Sequence, residues 1–146
     1  MARLAPSMLR TVCFVLVALC AAACSRIERT RQCVTLVTTV NGALDEIAAR
    51  EDAGAGGATA EREIAARYER LGNDLEALPV ESPELAKTLA EYRELLADTV
   101  RQLRRAAAAR DRNDRGTVAI AKRDLAAALR REKLLIMRID NACQSP

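Results

Sequence analysis

Apolar residues return every three or four positions through four separate stretches of this chain, and that rhythm limits its fold more than any other feature. Cys33, Val37, Val40, Leu44 and Ile47 form the first series, and Ile64, Tyr68, Leu71, Leu75 and Leu78 the second. Leu85, Leu89, Tyr92, Leu96, Val100 and Leu103 follow, then Ala121, Leu125, Leu129, Ile136, Ile139 and Cys143. This spacing lays one apolar stripe along an α-helix; a half-buried strand needs strict alternation, which is missing.

The punctuation between the stripes sets the expected boundaries. A first helix is predicted over residues 25–50, although β-branched residues crowd positions 34–40 and lower its intrinsic propensity. Gly54, Ala55, Gly56 and Gly57 read as a loop. A second helix is predicted over 59–78, stopped by Pro79. Ser82-Pro83-Glu84 supplies a hydroxyl at the cap, proline at the first helical position and a carboxylate near the positive end of the dipole. The third helix fades through alanines 106–109, residues 110–116 form a polar turn, and a fourth helix covers 117–143. The expected fold is all-α, an up-down-up-down four-helix bundle with near-parallel packing. Its rival runs the last two helices together as one rod with an exposed stripe.

Ahead of these helices, Arg3 and Arg10 precede an unbroken apolar run from Thr11, and no acid occurs before Glu28. A charged start, a short apolar middle and a small-residue end make a secretory signal. The run is about a dozen residues, short of the roughly twenty that span a bilayer. It ends in Ala21-Ala22-Ala23-Cys24, which resembles the lipobox of bacterial lipoproteins, with Ala21 where that family most often has Leu. The resemblance covers the first twenty-five residues. It implies a signal peptide over 1–23, acylation of Cys24, and a lipid-anchored domain over 24–146 facing the periplasm. Ser25 in place of Asp after the cysteine points to the outer membrane. An ordinary A-x-A site would cut the same bond and leave Cys24 bare.

Of five cysteines, Cys13 and Cys20 leave with the signal. If Cys24 carries lipid, Cys33 and Cys143 remain, an even number in an oxidising compartment. Both lie on apolar stripes near opposite ends of the mature chain, and an even number of helices would bring those ends together. The alternative is two buried free thiols packing as small apolar residues.

Three further groups of residues carry candidate chemistry. Glu132 interrupts the fourth stripe, between Leu129 and Ile136 or equally between Ala128 and Leu135, at a height shared with Tyr92 and Tyr68. A carboxylate with two phenols suits a ligand-orienting or proton-handling pocket, or a buried contact that fixes helix register. Arg101, Arg104, Arg105, Arg110, Arg112 and Arg115 gather around the third turn, as a face for an envelope protein or anionic polymer or as a solvated helix end. Export and the lack of interleaved aromatic residues argue against nucleic acid. Finally, charge differs along the chain. Residues 24–81 hold seven basic and eleven acidic groups, and residues 82–146 fourteen and nine, so the halves attract.

With no histidine, no cysteine pair at ligand spacing and one methionine after residue 23, no metal or other cofactor is expected, and histidine-based nucleophilic catalysis is excluded. The expected role is a structural or protein-interaction module and not an enzyme. The alternative is a small-ligand-binding or sensory bundle.

Overall fold

A computed structural model describes the backbone of residues 6–52 and 56–144, and the side chains of residues 27–50 and 56–144. Four helices fill it: α1 (Pro6–Asp52), α2 (Ala58–Ala77), α3 (Pro83–Asp111) and α4 (Arg115–Gln144). The described residues form an all-α helical bundle. Within residues 27–50 and 56–144, no helical segment is long and apolar enough to cross a membrane.

Helix α1 corrects the expected start at residue 25, because it begins at Pro6 and runs unbroken to Asp52. Proline suits a first helical position, and the alanines and leucines after it are strong helix formers with no break before residue 24. The crowded β-branched stretch stays helical because Leu36 and Val40 within it are buried against the other helices. Tertiary packing outweighs propensity there. Half of the expected glycine loop, Gly54 and Ala55, lies outside the described residues, and Gly57, with φ of 125°, stands just ahead of α2.

The start of α3 follows the sequence closely. Leu85 N donates to Ser82 Oγ at 3.4 Å, and Pro83 takes the first helical turn. The polar turn after it is shorter than expected. Asn113, with φ of 56°, ends α3 in the left-handed conformation that asparagine tolerates. Its N–H reaches Arg110 O at 2.9 Å, and the N–H of Asp114 reaches Ala109 O at 2.9 Å, which is the Schellman arrangement. Asp114 then starts α4, its carboxylate accepting from Thr117 N at 3.0 Å and Thr117 Oγ1 at 2.6 Å. The single-rod alternative is thereby removed, and α3 packs along α4 as extensively as along α2.

The core draws on all four helices, with Leu36, Leu71, Tyr92, Leu95 and Leu96 its largest fully enclosed side chains. Each such leucine contributes about 1.5–3 kcal/mol by leaving water. The α3 end that was expected to fade is instead enclosed: Ala106, Ala107 and Ala109 are buried, as is Ala121 across the turn. Small side chains let the two arms of this hairpin approach closely. Two stripes are rotated from their expected lines. In α4, Ala121, Leu125, Ala128, Glu132, Leu135, Ile139 and Ala142 turn inward while Leu129 stands half exposed. In α1, Leu36 is buried in place of the partly exposed Val37. Both alternatives keep the three-four rhythm, so only packing separates them.

Candidate functional site

Tyr92 on α3, Tyr68 on α2 and Glu132 on α4 come together, each from a core position of its helix. The Tyr92 hydroxyl donates to Glu132 Oε1 at 2.9 Å. Burial is the main cause raising the Glu132 carboxyl above its ordinary value, opposed by that hydrogen bond. Burial also pushes the Tyr92 phenol far up, helped by the neighbouring Glu132 and by Tyr68. Tyr92 therefore stays protonated and acts as a donor. Thr88 and Thr99, the other buried polar residues of α3, turn back to Glu84 O at 3.1 Å and Leu95 O at 2.9 Å.

The contact is closed. Tyr92 is fully enclosed, and neither it nor Glu132 lines the grooves between α2 and α3, between α1 and α2, beside Pro79, or at the turn from α3 to α4. Tyr68 reaches the floor of a groove of about 560 Å³ between α2 and α3, beside Gly72 and Ala97. Ion pairs cross this region from Arg104 to Glu69 at 2.8 Å and from Arg93 to Glu76 at 2.7 Å.

The six arginines do not form one free surface. Arg101 pairs with Asp98 on its own helix, Arg104 with Glu69, and Arg110 Nε with Glu61 Oε1 at 2.8 Å. The Thr117 hydroxyl chiefly holds the Asp114 carboxyl below its usual range, with Arg112 adding to the effect. The guanidinium groups of Arg105 and Arg115 make no ion pair among the described residues. The expected attraction between the halves is visible here, since acids of α2 meet arginines of α3 in succession. The Arg110–Glu61 contact is the most enclosed of these and had no sequence signal beyond charge. Glu61 Oε2 remains buried without a partner, as does Gln102 Oε1.

Cys33 and Cys143 form a disulfide with Cα atoms 5.6 Å apart. Beside it, Arg29 Nη2 donates to Ala142 O at 3.1 Å and ties α1 again to the end of α4. The side chain of Cys24 lies outside the described residues. Comparison with protein-family models, curated proteins and solved structures finds no match for this chain. Among the described residues, no three or more histidine, cysteine, aspartate or glutamate side chains are grouped to hold a metal ion. What the arrangement can do follows from its own chemistry: a protonated phenol and a buried carboxyl can lock the register of α3 on α4.

Proposed function

We propose that this chain is a small cell-envelope lipoprotein whose mature domain is a structural or protein-interaction module. Residues 1–23 are the signal peptide, Cys24 carries the lipid, and residues 24–146 face the periplasm from the outer membrane. The carrying observation is the Cys33–Cys143 disulfide, which suits an oxidising compartment and uses every cysteine after the lipobox. The mature bundle is up-down-up-down. In support, Glu61, Glu69 and Glu76 of α2 meet Arg110, Arg104 and Arg93 of α3, one series rising as the other falls. Among the described residues no backbone approach within 8 Å joins α1 to α3 or α2 to α4, and the bridge joins the first helix to the last.

An interaction role is favoured over a pocket because Tyr92 is fully enclosed and spends its hydroxyl on Glu132 inside the core. The α2–α3 groove keeps the ligand-binding alternative in view, since its volume falls within the range of small-molecule sites. Its crossing ion pairs count against that use. Intact-mass measurement of the mature protein tests the anchor. Acylated Cys24 is expected at the N-terminus, and Cys24→Ala should release the protein into the soluble fraction. A bare cysteine at that position rejects the lipoprotein reading.

A further inference from the structure

The outward faces of the helices differ in charge. Exposed positions mix signs on α1 (Arg31 with Asp45), on α2 (Arg62 with Glu63) and on α3 (Glu94 with Arg101). On α4 every exposed charged residue is a cation, while Glu132 is buried and Asp124 and Asp140 are half-buried. Arg138 is held by Glu91 at 2.7 Å, and Arg123 lies 3.5 Å from Asp124. Lys122, Arg130 and Lys133 form no ion pair among the described residues.

These cations share a face with apolar side chains. Ala119, Arg123, Ala126, Arg130, Lys133 and Met137 step by four and three along the side of α4 opposite its core stripe, all exposed. Leu134 and Met137 flank Lys133 with 61% and 52% of their surface in water. Ile120 and Leu129 on the same helix are also exposed. Single exposed apolar residues mean little, but Leu134 and Met137 coincide with a face on which no acid is exposed.

We propose that the outer face of α4 docks the bundle on the surface of an anionic lipid bilayer. Lys122, Arg123, Arg130 and Lys133 meet the headgroups, and Leu134 and Met137 enter the interface beneath them. A soluble polyanion would satisfy the cations but leave two large apolar side chains in water, whereas a bilayer interface takes both. The inference rests on the proposed anchor, because the disulfide fixes the end of α4 to α1 nine residues after Cys24 and so holds the end of this face that carries Lys133, Leu134 and Met137 nearest the membrane.

The chain has no tryptophan, so a single Met137→Trp substitution gives a clean probe. The mature protein is mixed with phosphatidylcholine vesicles, with or without phosphatidylglycerol, each doped with brominated lipid. The indole at position 137 should blue-shift and be quenched only on anionic vesicles. An Arg70→Trp probe on α2 should stay in water on both. Replacing Lys122, Arg123, Arg130 and Lys133 by Gln should lower the docked-to-undocked ratio roughly fivefold per cation, and raised salt should act alike. Protein retained on both vesicles with an unquenched position 137 overturns the docking and leaves the anchor standing. Protein retained and quenched on anionic vesicles alone supports the docking and removes the anchor, and loss from both overturns both. An equal response of the Met137→Trp emission to soluble polyglutamate assigns the face to an acidic macromolecule and overturns the membrane reading.

Discussion

Glu132 sits where a leucine would pack, and its carboxyl is held by one phenol. In an unfolded chain this group has the ordinary value of 4.5, and burial raises it in the folded state. The folded protein thus keeps the proton to higher pH than the unfolded chain. The group's contribution to stability is full below about 4.5 and is lost as pH climbs through the folded value. Glu132→Gln keeps an acceptor for Tyr92 but has no charge to bury. Its melting temperature should match the native protein near pH 4 and exceed it increasingly toward pH 7. A difference that shrinks with rising pH would mean that the hydrogen bond, and not burial, dominates. Tyr92→Phe should cost about 1–3 kcal/mol in denaturant titration, because Glu132 Oε1 loses its donor inside the core. This contact was legible as a stripe interrupted by an acid level with two tyrosines. The Glu61–Arg110 pair was not, because a surface arginine and a first-turn glutamate look alike whether or not a third helix encloses them.

At the scale of the element, α4 separates pattern from packing. Leu129 and Leu135 both fit a three-four series, yet Leu129 is 50% exposed and Leu135 is 6% exposed. Leu135→Ala should cost about 2–5 kcal/mol, the range for emptying a leucine site in a core. Leu129→Ala should stay within about 0.5 kcal/mol, as surface changes usually do. Chemical denaturation of the two variants checks this, and equal losses would return Leu129 to the core stripe. The helix carries apolar residues at 134, 135, 136 and 137 in a row, so its hydrophobic pattern has no unique face. The termini were easier to read, since Ser82-Pro83 and Asn113-Asp114 act through bonds to their own neighbouring backbone.

Across the whole molecule, the disulfide closes nearly the full length of the domain, with a sequence separation of 110. In the chain-entropy account a loop of that size is worth at most roughly 4–5 kcal/mol, and removing a native bridge from a small secreted domain costs about 2–5. Reduction should therefore lower the melting temperature clearly. Helical circular dichroism below the transition should change little, because the leucine seams and not the bridge hold the helices together. Free labelling of both thiols in unfolded, unreduced protein would show that no bridge forms. The exposed interhelix ion pairs contribute far less, about 0–1 kcal/mol each, so added salt should move the melting temperature less than reductant does.

The number and order of the helices, the start of α3 and the place of the turn into α4 were legible in the sequence alone, because periodicity, caps and breakers act within a few residues of one another. The pairing of Cys33 with Cys143 was also accessible, since an even helix count brings the chain's two ends together. Three matters were decided only by the tertiary structure. The inward face of α4 was one, where several apolar rows competed and contact with α3 and the core chose among them. The division of the arginines was another: α2 lies against α3 and neutralises Arg104 and Arg110. The last was the wholly cationic exterior of α4, which appears once Glu132 is drawn into the core and Asp124 and Asp140 are half covered. A charge counts toward an outer surface only after the neighbours that bury or pair it are in place, and those neighbours come from distant parts of the chain.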